Sequence, residues 1–237
     1  MTIKDGNRQY LAEEVLEVRY KPKGAFISHA GELADYVVNS GVLPHWTLDT
    51  NRIDFRDHPD EAVNLQAFFS FKNLGFIAHN APTENFFKDK CIQYWKVVSS
   101  NKLFPIVDIT RIGVRKRCFV PLGVDFDMVE EQLFKYLCKG DIFDLLGAKR
   151  KDLQVIYDLT EKFGQSRLTI GPLHRGEAEK HFKFKSELFE QAGIYLDSDG
   201  FVENPKPKRM LVEDFVRDVS DSTWDRFERL LAKLEVR

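Results

Sequence analysis

Residues 108–121 read DITRIGVRKRCFVP and alternate with a period of two. Arg111, Gly113, Arg115 and Arg117 fall on one side. Ile112, Val114, Cys118 and Val120 fall on the other, with Lys116 the exception. Successive side chains of a strand project to opposite faces, so this segment calls for a sheet with one apolar face and one wet face. An earlier stretch, VLEVRYKP at residues 15–22, has the same character. Val15, Glu17 and Arg19 point one way; Leu16, Val18 and Tyr20 point the other.

Between and after these strands the period changes repeatedly. SHAGELADYVVNSG predicts a helix capped by Ser28, striped by Leu33, Tyr36 and Val37, and ended by Gly41. LPHWTLD and RIDFRD are short strands. AVNLQAFFSF is a longer one, with Val63, Leu65, Ala67, Phe69 and Phe71 on one face, and KNLG turns it into GFIAHN. A second helix follows, PTENFFKDKCIQYWKVV. Thr83 is its cap, and Phe87, Cys91, Tyr94 or Trp95, and Val98 are its buried face.

After the Arg111–Arg117 strand the order starts again. DFDMVEEQLFKYLCKG is a helix with Asp127 and Glu130 in capping-box spacing, Val129, Leu133, Tyr136 and Leu137 inside, and Gly140 at its end. DLQVIYDL, SRLTIG and RMLVEDFV read as strands. SDSTWDRFERLLAKLEV closes the chain as a helix, with Trp224, Phe227, Leu231 and Leu234 on one face. Setting LEVRY at 16–20 beside IGVRK at 112–116 suggests a tandem duplication of a β-α-β(3-4)-α unit. The first half would be residues 1–103. The second would be 104–237, with an insertion at about 172–207 that holds a helix, GEAEKHFKFKSELFEQAG, and the Pro/Lys loop ENPKPKRM. The expected fold class is α+β: a strongly bent antiparallel sheet with helices on one face, like the TATA-binding protein or a helix-grip sheet. The chain is then one compact domain or two pseudo-symmetric halves.

Several of these segments resemble a sporadically distributed family of uncharacterised bacterial proteins. They are the VLEVRY strand, the strand-hairpin-helix LQAFFSFKNLGFIAHNAPTENFFKDKCIQYW, and Arg111-Ile112-Gly113-Val114-Arg115. The resemblance spans most of residues 15–120. Where that family usually has a Tyr-Asn-type pair after its Arg-Gly-Arg strand, this chain has Lys116 and Arg117. The family implies an architecture and brings no activity.

Composition narrows the function classes. With 237 residues, 43% of them hydrophobic, the chain can bury a large core. Its net charge is −2 with 30% charged residues, so a nucleic-acid role would need cations segregated onto one face. The three cysteines, Cys91, Cys118 and Cys138, are widely spaced and include no CxxC pair, which excludes a zinc ribbon and favours reduced thiols in a cytoplasm. The start, MTIKDGNRQYLAEEV, has no apolar core of a signal peptide, and no apolar run approaches the ~18 residues that span a bilayer. The expectation is a cytoplasmic protein with no membrane partner.

No Walker loop, Gly-x-Ser-x-Gly or Gly-x-Gly-x-x-Gly is present. Cys118 beside Arg117 is a reactive thiol only if exposed, and its inward register makes it a core residue. His174, Glu177 and His181 have the spacing of one helical face and are the metal candidates, against Pro172 before them and Gly176 within. His29, His45, His58 and His79 could meet only in three dimensions. DSDG at 197–200 has the opening of a calcium loop without its later ligands and reads as a turn. No cofactor is implied.

The arginine face remains. Guanidinium forks grip carboxylates and phosphates, so Arg19, Arg111, Arg115 and Arg117 either face a partner or are satisfied by acids such as Glu17, Asp54, Asp158 and Glu213. Phe68 lies on the Asn64, Gln66, Ser70 side of its strand. It is either an anchor for a partner or a base, or it is packed under the inserted segment. The leading expectation is a non-enzymatic binding protein. It would engage a protein partner, or a second copy of itself, through Arg19, Phe68, Arg111, Arg115 and Arg117. The alternatives are a nucleic-acid-binding saddle, which needs VRKR, GAKRK and NPKPKR to converge, and a small-molecule or metal-dependent enzyme with histidines converging in a pocket.

Overall fold

A computed structural model of the chain describes residues 3–5, 8–59, 64–138, 147, 150–206 and 211–234. Its strands are β1 (Ile3–Asp5), β2 (Arg8–Tyr20), β3 (His45–Asp49), β4 (Arg52–Arg56), β5 (Leu65–Ser70), β6 (Asn73–His79), β7 (Ile109–Pro121), β8 (Val155–Glu161), β9 (Gly164–Leu173) and β10 (Gly193–Glu203). Its helices are α1 (Ala25–Asn39), α2 (Glu84–Ser99), α3 (Phe126–Leu137) and α4 (Val212–Lys233). The fold is mixed α+β. The sheet order is β3-β4-β5-β6-β2-β7-β10-β9-β8, with β1 beside the start of β2. Every neighbouring pair in that order is antiparallel.

The two alternating strands read first in the sequence, β2 and β7, pair with each other at the centre, from Leu11 opposite Phe119 to Arg19 opposite Arg111. β6, β5, β4 and β3 extend outward from β2. β10, β9 and β8 extend outward from β7. The order β-α-strands-α is followed on each flank of one continuous sheet.

Alternation assigns the faces. Leu16, Val18, Ile112 and Val114 join one apolar cluster with residues of α1, α2 and α4, among them Phe26, Phe87, Tyr94 and Phe215. Ala12, Cys118 and Val120 join a second with Val129 and Leu133 of α3 and Phe227 and Leu231 of α4. All four helices therefore cover the face carrying the even-numbered residues of β2 and β7. Aromatic rings dominate this layer. Phe26, Phe69 and Phe104 meet edge to face, with centroids 5.0–6.3 Å apart, and Phe76 sits between Phe87 and Tyr94. Burying each such ring stabilises the fold by roughly 1.5–3 kcal/mol. Cys118 lies in this layer as its register predicts, and Tyr94 rather than Trp95 is the fully buried member of α2.

Three sequence readings are corrected. RMLVEDFV is not a strand: its described part opens α4, and Val212, Phe215, Val216 and Val219 are buried with helical spacing. A window that short does not separate a period of two from a period of 3.6. DSDG is not a turn but the middle of β10, between β7 and β9. Small residues are needed there because α4 lies close: a Cβ on Gly200 would stand 2.5 Å from Val219, and Ser198 meets Thr223 at 3.4 Å between hydroxyl oxygens. The reading of 172–207 as an insertion therefore fails over a central strand. The segment left outside the sheet is 174–192. It is not a helix but two 3₁₀ turns, Glu177–Lys180 and Glu187–Glu190. Burial of Phe182 and Phe189 against Leu11, Phe119, Leu173 and Tyr195 sets its course.

Helix starts also shift. Gly24, not Ser28, precedes α1; Asp125, not Asp127, precedes α3; Thr83 precedes α2 without a side-chain capping bond. Glu130 is instead buried in an ion pair with Arg150. Val63 and Gly140 lie outside the described residues.

Candidate functional site

Among the described residues the opposite face of the sheet carries no α-helix. One end is covered by residues 174–192, which form a strap: the apolar contacts of Phe182 and Phe189 seat it on the odd-numbered side chains Leu11, Phe119 and Tyr195. Beside the strap a groove of about 290 Å³ remains open. It is lined by Glu13, Val15, Glu17, Arg19, Phe68, Ile77, Arg111, Gly113, Arg115, Arg117, Lys183 and Asp199. All five residues singled out from sequence, Arg19, Phe68, Arg111, Arg115 and Arg117, line it together. A larger hollow of about 440 Å³, lined by Asp158, Arg167 and Phe201, shares Asp199 with it.

Strand register builds the groove. One cross-strand row runs Phe68, Gly75, Glu17, Gly113, Phe201. The two glycines leave room above the sheet. A Cβ on Gly75 would stand 2.4 Å from the Phe68 ring, and one on Gly113 would stand 2.8 Å from the Arg111 guanidinium. Phe68 thus leans over Gly75, and the Arg52 guanidinium stacks on its ring, 4.2 Å from the centroid. Phe68 is only 8% exposed. It is packed, as one sequence reading held, but under Arg52 rather than under the strap.

Each arginine of the groove has an acid on a neighbouring position. Arg19 donates to Glu17 at 2.8 Å. Arg111 lies between Glu17 at 3.5 Å and Asp199 at 3.2 Å, over the Phe201 ring at 4.9 Å. Arg115 donates to both oxygens of Asp197, at 2.8 and 2.5 Å, and the Tyr195 hydroxyl donates to the same carboxylate. Arg117 donates to Glu13 and to the carbonyl of His181. Of the acids anticipated from sequence only Glu17 serves this group. Asp54 holds Arg52, Asp158 holds Arg167, and Glu213 lies nearest Lys96.

Exposure divides the arginines. The side chains of Arg19 and Arg115 are 53% and 46% exposed, while Arg111 and Arg117 are 17% each. Arg117 fastens the strap. Its partner Glu13, almost wholly buried, also accepts from the Lys183 backbone N–H at 3.3 Å and lies 3.4 Å from His79 Nδ1. Lys116, the exception in the alternation, is buried on the helix side. It lies 3.5 Å from Glu14 and 3.9 Å from the centre of the Trp224 ring.

The electrostatics follow from this packing. Burial opposes ionisation of Glu17, but hydrogen bonds from Arg19 and Asn73 and the nearby arginine charges outweigh it, and its carboxyl titrates below the ordinary 4.5. Asp199 goes the other way: burial pushes its carboxyl up despite Arg111 and Arg115. Burial likewise depresses His79, against the pull of Glu13.

The remaining candidates do not converge. His174 stacks on Phe126 at 3.5 Å while His181 packs on Tyr195 at 4.6 Å. Among the described residues no three His, Cys, Asp or Glu side chains come together as a metal site. His29 contacts Glu32, His45 is exposed on the edge strand, and His79 is buried under the strap. Of the basic clusters, Arg150 is held by Glu130 and Glu131 of α3 in the helix layer, Lys116 is buried on that side, and residues 207–209 lie outside the described set. The described members of these clusters do not form one basic face. No helix among the described residues is long and apolar enough to cross a membrane.

Sequence reasoning missed Glu13, Asp197, Asp199, Lys183 and Phe201. Glu13 extends the alternation Glu17, Val15 by two residues. Asp197, Asp199 and Phe201 alternate within β10, hidden by turn-forming residues. The chain matches no protein-family model and no curated protein, so the functional argument rests on this geometry.

Proposed function

We propose that the face of the sheet opposite α1–α4 is a protein-binding surface and that the chain acts by binding rather than catalysis. The observation that carries this reading is the gathering of Arg19, Arg111, Arg115 and Arg117 in one groove, each fixed by a carboxylate on the same face. Rigid, pre-paired side chains lose little entropy on binding and suit a partner that brings its own mixed polar groups. The same pairing disfavours a nucleic acid, because its continuous run of phosphates would have to pass Glu17, Asp197 and Asp199 as well as the arginines, whereas a partner with a single charge need not. A second copy of the chain is the other protein that could occupy the face. A cytoplasmic setting belongs to the proposal, as does membership of the sporadic bacterial family, which contributes an architecture only.

Selection of a random peptide library on the wild-type chain and on an Arg19→Ala/Arg115→Ala variant tests this. Both side chains are about half exposed; because Arg115→Ala also strips Asp197 of its guanidinium, an Arg19→Ala/Arg115→Ala/Asp197→Asn variant, which leaves no buried carboxylate unpaired, is selected alongside and must give the same result. Peptides that bind the wild type and lose the variant are the expected result. Recovery of nothing, or of peptides that bind both equally, refutes it. Salt-steep binding of DNA or RNA that the variant loses would replace it with the nucleic-acid reading.

A further inference from the structure

Resting on the protein-binding reading, we propose that the groove takes an extended segment presenting a carboxylate side chain next to an aliphatic one. Five cationic and three anionic side chains line the groove; counting Asp197 behind Arg115 still leaves an excess of one positive charge. The chain as a whole is negative, at −2, so this excess is local. It is also available. Arg115 uses Nε and Nη2 on Asp197, and its Nη1 makes no hydrogen bond among the described residues. Lys183 is exposed, and its Nζ has no ion pair among the described residues.

The floor supplies the second half of the specificity. One cross-strand row runs Ile77, Val15, Arg115, Asp199, so two aliphatic side chains lead up to Arg115, with Asp199 beyond it. A carboxylate on the Arg115–Lys183 side and an aliphatic group over Val15 and Ile77 would satisfy both. At about 290 Å³ the groove lies at the lower edge of the ~300–1,000 Å³ usual for small-molecule sites. It therefore suits side chains of a peptide better than a whole cofactor. The strap shows how this face holds main chain: Arg117 takes the His181 carbonyl and Glu13 takes the Lys183 N–H.

Arrays of short peptides combining aliphatic residues with acidic, basic or uncharged ones test this, read with labelled protein. The strongest binders are then titrated by anisotropy against the wild type and an Arg115→Ala/Lys183→Ala variant, with Lys183→Ala alone, which breaks no ion pair among the described residues, as the control for any loss of stability at Asp197. The acidic-aliphatic set is expected to bind best, to weaken as salt rises, and to lose about tenfold or more in affinity in the variant. Acidic peptides that bind the variant equally well would overturn the assignment. So would succinate binding as tightly as the peptides, which would make the site one for a small acid. If basic or uncharged peptides bind best and the Arg19→Ala/Arg115→Ala variant loses them, the open-face reading stands and the acidic specificity falls. If no set binds, both fall.

Discussion

Replacing Glu13 by Ala removes the acid beneath the strap, and the structure sets the expected cost. Glu13 is 1% exposed, and its oxygens serve the Arg117 guanidinium and the Lys183 N–H, with His79 close by. Truncation leaves Arg117 unpaired at 17% exposure and removes the acceptor of a strap amide. Breaking a buried pair by removing one partner costs about 3–5 kcal/mol, and the partial access of water to Arg117 places this site at the lower end. For a chain of this size each kcal/mol moves Tm by roughly 2–4 °C, so a fall of about 6–12 °C is expected by calorimetry, with a matching shift in urea. Hydrogen exchange at the Lys183 amide should quicken more than the global change explains. The Glu13→Met/Arg117→Met double variant should lose less than Glu13→Ala alone, since no charge is left unpaired. A loss under about 1 kcal/mol for Glu13→Ala, or a double variant worse than the sum of the singles, would refute the account of Glu13 as the fastening of the strap.

Five further outcomes are expected. Gly75→Ala should destabilise by about 1–3 kcal/mol in urea titrations, because its Cβ meets the Phe68 ring and, at 2.6 Å, the Leu16 carbonyl. Gly113→Ala meets the end of the Arg111 side chain rather than a ring and a backbone carbonyl, and should cost less than Gly75→Ala in the same titrations. His79 is held below its ordinary 6.5, chiefly by burial. The unfolded chain therefore takes up a proton first as pH falls, and stability should decline from pH 6.5 downward through the folded value, a component that His79→Gln removes in pH-dependent melts. Glu17 titrates below 4.5, so its contribution is present above that pH and is lost as pH falls through the lowered value; Glu17→Gln should flatten that limb of the same melts. Cys91 and Cys118 are buried, with the Cys118 thiol pushed up to about 12, so neither should react with a thiol reagent at pH 8 until the chain unfolds; prompt labelling of either would contradict their place in the core.

The sequence by itself determined the two central strands and their faces. Alternation at residues 15–20 and 111–120 is a local property of the chain, and any sheet that buries Leu16, Val18, Ile112 and Val114 must turn Arg19, Arg111, Arg115 and Arg117 the other way. α1, α2, α3 and the second half of α4 were legible for the same reason, since one apolar stripe defines each; the first turns of α4 read as a strand. Tertiary structure alone decided the rest. Asp197, Ser198, Asp199 and Gly200 have the composition of a turn, yet they form a central strand. Arg115 and Arg111 neutralise the two acids from a neighbouring strand, and α4 needs the two small residues beneath it. The strap has no periodicity of its own; its course comes from Phe182 and Phe189 finding Phe119 and Tyr195, and from Glu13, 170 residues before Lys183, accepting its amide. Those contacts join residues far apart in the chain, so no local window contains them. They turn a row of arginines on a strand into a groove with a wall, a floor and a covered end.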